Sequence, residues 1–128
     1  MKHHVLVLDD EADVRSAIRL QMKGSRFEIL EAESVDQAIA LLADNPISID
    51  VIICDVRMPG KSGVEAVAYF QREYPNTPVI VLTGFPDVAL AVDFMKKKDV
   101  VDFLTKPVDR QKLVATVERA AQGRKLFE

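Results

Sequence analysis

Four short apolar runs, each closed abruptly by polar side chains, limit the folds open to this chain. Val5-Leu6-Val7-Leu8 runs into Asp9-Asp10, Val51-Ile52-Ile53-Cys54 into Asp55, and Val79-Ile80-Val81-Leu82 into Thr83. The fourth, Val101-Asp102-Phe103-Leu104-Thr105, ends at Lys106. Runs this short and this rich in Val, Ile and Leu read as strands covered on both faces, the pattern of a parallel sheet. In open α/β sheets ligands bind outside the carboxyl ends of the strands. The arrangement therefore gathers three carboxylates, one hydroxyl and one ammonium at one edge, a site suited to a divalent cation and a phosphoryl group.

Between the runs the hydrophobic period changes to that of helices, so strand and helix alternate five times. A first helix is expected from Glu11 to Lys23, with Val14, Ala17, Ile18 and Met22 on its inner stripe and Gly24 just past its end. A strand at about Phe27 to Glu31 follows, then a helix opened by a Ser34–Gln37 capping box and stopped before Asn45-Pro46. A second capping box, Ser62 to Glu65, opens a helix ending by Tyr74-Pro75. Further helices are expected at about Asp87 to Lys98 and from Asp109, the latter with Leu113, Val117 and Ala120 facing the core. Alternation with right-handed crossovers predicts an α/β, doubly wound three-layer sandwich on a five-stranded parallel sheet. Pattern alone leaves the strand order open; placing the first and third strands side by side would bring Asp9, Asp10 and Asp55 together.

Composition narrows the functional classes. At 128 residues and 48% hydrophobic, the chain has the size and apolar content of one domain. Its net charge of −3 offers no basic face for direct contact with nucleic acid. No apolar stretch approaches the roughly 20 residues of a membrane span, and the N-terminus does not read as a signal peptide. The lone Cys54 excludes an internal disulfide, fits a reducing cytoplasm, and is expected to be a buried, inert thiol. A cytoplasmic location is the expectation.

Three clustered carboxylates repel one another. At an effective dielectric near 20, each pair 4 Å apart costs roughly 4 kcal/mol. Such a cluster persists where a cation offsets it, and hard oxygen donors point to Mg2+. Asp55, on a different strand from the acidic pair, is best placed as a nucleophile, as carboxylates are in aspartyl-phosphate chemistry. Lys106 would neutralise developing charge, and the Thr83 hydroxyl would donate to a phosphoryl oxygen. Taken singly these residues have plainer uses: Asp9-Asp10 as acids before a helix, Thr83 as a turn residue, Lys106 as a surface lysine. Asp55, directly after four apolar residues, is harder to assign to the surface, and the order of all of them favours the site.

From Val5 to Ala121 the chain resembles the receiver domain of two-component response regulators. The resemblance is carried by Leu8-Asp9-Asp10-Glu11, by Asp55-Val56-Arg57-Met58-Pro59 with Gly63, by Leu82-Thr83-Gly84, and by Phe103-Leu104-Thr105-Lys106-Pro107. It implies a flavodoxin-like sheet of order 2-1-3-4-5 and a phosphoacceptor switch in which Asp55 takes a phosphoryl group from a sensor histidine kinase. It further implies Mg2+ held by Asp10, Asp55 and the backbone carbonyl of Arg57, with Asp9 assisting through water. Thr83 and Lys106 would bind phosphoryl oxygens, Lys106-Pro107 would be cis, and Phe103 would be the aromatic partner of Thr83 in switching, against its plainer role as core. Residues 1–122 would form the receiver domain, with 123–128 a tail or the start of a linker to a missing output domain. The chain would catalyse only its own phosphorylation and dephosphorylation and would control a downstream response, expected to be transcription. A stand-alone phosphorelay shuttle would look the same.

Some positions depart from the family pattern. Asp99-Val100 stands where a Gly-Ala turn is usual. Leu90 and Phe94 form an apolar stripe apart from Val88, Val92 and Met95, which suggests a phosphorylation-dependent homodimer through the 87–98 helix and the fifth strand. Lys96-Lys97-Lys98 reads as a solvated helix end. Arg57 and Phe85 flank the path of an attacking water and predict slow self-dephosphorylation. An Mg2+-dependent aspartyl phosphatase is the rival enzyme, but it resembles a pattern with an acid where this chain has Arg57. Neither a Walker loop nor a dinucleotide glycine fingerprint is present.

Overall fold

All five expected strands are parallel and lie in one sheet of order β2-β1-β3-β4-β5. A computed structural model describes residues 3–44, 48–56, 63–84 and 102–125. The strands are β1 (His3–Leu8), β2 (Phe27–Ala32), β3 (Val51–Asp55), β4 (Val79–Thr83) and β5 (Asp102–Thr105). The described helices are α1 (Ala12–Gln21), α2 (Val35–Asp44), α3 (Gly63–Glu73) and α4 (Arg110–Lys125). The helix expected at 87–98, the Ser62 cap, Asp99-Val100, Phe85 and Arg57 lie outside the described residues.

Period-two alternation sorts the strand side chains into two cores. Leu6, Leu8, Ile52, Cys54, Val79 and Val81 pack against Ala38 of α2 and Val67 and Phe70 of α3. The intervening Val5, Val7, Val51, Ile53, Ile80 and Leu82 pack against Ile18 of α1 and Leu113 and Val117 of α4. Each fully buried Val, Leu or Ile contributes roughly 1.5–3 kcal/mol of transfer free energy, which is why β1, β3 and β4 are so uniformly apolar. None of the described helices is long and apolar enough to cross a membrane.

Local details depart from the sequence reading in physically simple ways. Ala17 is exposed, because the inner stripe of α1 advances by fours through Val14, Ile18 and Met22 and leaves the i+3 position outside. Gly24, with φ of 87°, supplies the left-handed residue after that helix. The Ser34 cap forms, its Oγ accepting from Gln37 N at 3.1 Å, but Gln37 Oε1 reaches one residue further back, to Glu33 N at 2.7 Å. Asp109 caps α4 by accepting from Lys112 N at 3.0 Å. That helix continues through Gly123 to Lys125, since a half-buried glycine inside a helix costs only about 1 kcal/mol.

The sheet register builds the site. Leu8 pairs with Cys54 and Cys54 with Val81, so Asp9 and Asp55 leave adjacent strands one step past a matched pair. Thr83 pairs with Thr105, which delivers Lys106 to the same edge.

Candidate functional site

Asp9, Asp10, Glu11 and Asp55 each present a carboxylate oxygen, and these four atoms lie within 4.8 Å of one another. Asp9 is fully buried and Asp55 nearly so, whereas Asp10 and Glu11 are exposed. The mixture matters: the buried pair is shielded from water, and the exposed pair leaves an entrance. Lys106 Nζ sits among them, 3.0 Å from Asp9 Oδ2, 3.1 Å from Glu11 Oε1 and 3.2 Å from Asp55 Oδ2. It donates hydrogen bonds to the last two.

The backbone fixes this arrangement from several sides. Asp9 N donates to Ala32 O at 3.1 Å and Asp9 Oδ1 accepts from Glu11 N at 2.8 Å, closing the turn between β1 and α1. Lys106 N donates to Thr83 O at 2.8 Å, which ties the ends of β4 and β5 together and sets the lysine beside the threonine. The Lys106-Pro107 peptide is cis, as the resemblance implies. Gly63 N donates to Val56 O at 3.1 Å, and a Cβ on Gly63 would stand 2.2 Å from Val56 Cα. Only glycine allows α3 to begin this close to the segment following Asp55.

Electrostatics follow from burial and charge. Burial drives the Asp9 pKa up, and the backbone N–H of Glu11 and the Lys106 ammonium only partly offset it. Burial works against the charge on Lys106, but the carboxylates of Asp9 and Asp55 outweigh it and hold its pKa above the ordinary lysine value. The Cys54 thiol, wholly buried beside Asp55 and Asp9, is pushed far above its ordinary value and is inert at neutral pH.

Asp9 Oδ2 is buried and, beyond its 3.0 Å ion pair with the Lys106 ammonium, has no further hydrogen-bond partner among the described residues. A buried anionic oxygen in that state, within a set of hard oxygen donors, fits a small divalent cation such as Mg2+. The Thr83 hydroxyl is fully buried and donates to Gly84 O at 3.1 Å. Phe103, partly buried, packs against the α2–α3 core, with Lys112 Nζ 6.0 Å from its ring centre. Six of the seven residues expected in the site are thus located, five of them at the strand ends and Phe103 within β5; Arg57 lies outside the described residues.

Three further residues shape the site. Glu11 stood in the sequence only as part of an acidic motif and a helix start, yet its carboxylate holds Lys106. Arg15 Nη1 donates to Asp9 O at 2.7 Å and its Nε to Glu31 Oε1 at 3.1 Å. Nothing in the local pattern pairs Arg15 of α1 with a glutamate of β2; the contact exists because β2 lies beside β1, which α1 follows.

Comparison with known proteins agrees with this geometry. The family model described as the response regulator receiver domain matches residues 5–118. The response regulator protein PilR of Pseudomonas aeruginosa is 35% identical over 92% of this chain and 26% of its own length. The transcriptional regulatory protein FixJ of Bradyrhizobium diazoefficiens is 35% identical over 93% of this chain and 57% of its own length. This chain therefore spans from about a quarter to somewhat over half of those relatives. A crystal structure of a response regulator receiver domain protein from Clostridium thermocellum superimposes with a TM-score of 0.89 at 32% identity, covering 98% of this chain and 99% of that one. A carboxylate cluster and a lysine at the carboxyl edge of a 2-1-3-4-5 sheet, matched along nearly the whole chain, place it in the response regulator receiver domain family.

Proposed function

We propose that the chain is a phosphoacceptor switch whose acceptor is Asp55. A carboxylate oxygen of Asp55 attacks the phosphorus of a phosphohistidine on a sensor histidine kinase. The P–O bond forms as the P–N bond breaks, and the departing imidazole takes a proton from solvent. Reversal to the resting state is hydrolysis: water attacks phosphorus, inorganic phosphate leaves, and the Asp55 carboxylate is regenerated.

Asp10, Asp55 and the Arg57 carbonyl would hold Mg2+, with Asp9 assisting through water. When bound, that cation supplies neutralisation of the carboxylates and of charge on the transferring group. Lys106 leaves its carboxylate partners to meet a phosphoryl oxygen, and Thr83 exchanges its bond to Gly84 O for another. Movement of Thr83 would be read by Phe103 as a change in packing, since its ring carries no hydroxyl. The observation that carries the reading is the nearly buried Asp55 carboxylate, 3.2 Å from the Lys106 ammonium inside a cluster of acids.

The reading extends to organisation and output. Residues 1–122 would act as the receiver unit and 123–128 would lead toward an output segment controlling transcription, the activity for which FixJ is named. Self-association through the 87–98 segment and β5 would couple phosphorylation to that output. Sedimentation with Mg2+ and beryllium fluoride should then show a monomer-to-dimer shift that Asp55→Ala lacks.

The direct test is incubation with Mg2+ and a small phosphodonor, followed by mass analysis. One phosphoryl group should appear on Asp55 and none on Asp55→Ala, with no turnover of phosphomonoesters. An unlabelled wild-type protein would refute the acceptor role, and sustained phosphomonoester hydrolysis would instead favour a phosphatase.

A further inference from the structure

We propose that Arg15 is a positioning residue of the acidic site, acting through the backbone of Asp9 with Glu31 as its buttress. The inference rests on the reading that the cluster holds a divalent cation. Where β1 ends, the chain must turn within three residues to enter α1, and the two acids of that turn must both face Asp55. Three contacts fix Asp9. Its N–H is tied to Ala32 O at 3.1 Å, its Oδ1 to Glu11 N at 2.8 Å, and its carbonyl to Arg15 Nη1 at 2.7 Å.

The third contact sets the plane of the peptide joining Asp9 to Asp10. That plane decides the direction in which the Asp10 side chain leaves the backbone, and hence whether its carboxylate meets those of Asp9 and Asp55. Asp10 itself is exposed and has little packing to orient it. A long arginine can define a peptide plane only if its own head is fixed. Glu31 does this: Oε1 accepts from Arg15 Nε at 3.1 Å, while Oε2 is taken by Arg19 Nε at 2.7 Å. The Arg15 side chain is only 13% exposed.

Glu31 offsets only part of the charge of Arg15 and Arg19, but Arg15 meets Asp9 at its backbone carbonyl and not at its carboxylate, so the effect is one of geometry. A lysine at position 15 keeps the charge but, as a compact ammonium on a flexible stem, does not reproduce the fixed planar fork that spans carbonyl and carboxylate. Charge and geometry are therefore separable by experiment.

The experiment is calorimetric titration of the folded, metal-free chain with Mg2+. Arg15→Ala should weaken Mg2+ binding about tenfold, the loss typical of removing a group that orients metal ligands. Arg15→Lys should weaken it nearly as much, and Glu31→Gln by a smaller factor. A purely structural role would lower the melting temperature of Arg15→Ala and leave its Mg2+ affinity unchanged, which overturns the proposal. Full rescue by Arg15→Lys also overturns it, in favour of charge. If Arg15→Ala does not fold, an unchanged affinity in Glu31→Gln is the overturning result. A wild-type protein whose Mg2+ binding is indifferent to Asp10→Asn removes the metal reading and this inference together, whereas a normal wild-type response leaves the former standing.

Discussion

Lys106 Nζ reaches Asp55 Oδ2 across 3.2 Å, although the strands that carry them, β5 and β3, are separated in the sheet by β4. The contact passes over the end of the intervening strand and binds the whole carboxyl edge into one charged unit. It also places the ammonium where a group transferred to Asp55 would carry its negative charge.

Lys106→Ala should therefore destabilise the metal-free protein by about 2 kcal/mol at neutral pH, the scale of hydrogen bonds to charged groups. Because folding raises the Lys106 pKa, its contribution is fully present below the ordinary lysine value and is lost as pH rises through the folded one. Urea unfolding of the two proteins should give a constant difference from roughly pH 6 to 9, between the ordinary carboxylate and lysine ranges, shrinking only in stronger alkali. Added Mg2+ should stabilise Lys106→Ala more than wild type, since the acids have lost a competitor for it.

Asp9→Asn should act with opposite sign in the presence and absence of metal. Folding raises the Asp9 pKa, so this group favours the fold in acid and ceases to do so as pH rises through its folded value. In a chelator, wild-type stability relative to Asp9→Asn should fall as pH is raised from about 4 toward neutrality. With excess Mg2+ at pH 7 the order should reverse, because only the carboxylate of wild type binds the cation well. Thermal melts with chelator and with Mg2+ check both halves.

Gly63→Ala should be among the most damaging single-methyl additions to this chain. The new Cβ would lie 2.2 Å from Val56 Cα and 2.5 Å from Val56 O, and backbone cannot yield as a side-chain tip does. A loss of about 3 kcal/mol is expected, at the upper end for overpacking. Phosphodonor labelling of the folded fraction should slow as well, because the strain falls on the residue next to Asp55. Normal labelling with unchanged stability would show that the two segments can separate freely.

The Arg26–Glu118 pair supplies a contrast. Its two hydrogen bonds, 3.0 and 2.9 Å, join the start of β2 to α4, but both side chains are about one-third exposed. A double-mutant cycle with Arg26→Ala and Glu118→Ala should give a coupling below about 1 kcal/mol that declines with added salt.

Periodicity and punctuation carried the element list, because apolar runs, caps and prolines act over a few residues and leave a local trace. The strand-end positions of Asp9, Asp10, Asp55, Thr83 and Lys106 were legible for the same reason: a parallel sheet has one carboxyl edge, and every strand reaches it. Ala17 was misplaced on the core stripe because a ten-residue helix constrains its phase weakly. The strand order, the descent of Lys106 onto Asp9 and Glu11 as well as Asp55, and the bracing of Asp9 by Arg15 and Glu31 left no such trace. Apart from the short-range Arg15–Asp9 bond, these contacts join residues 16 to 97 positions apart, and they depend on which strands pair and in what register. Burial of the sheet's two faces settles that choice, and it is a property of the packed molecule rather than of any segment of it.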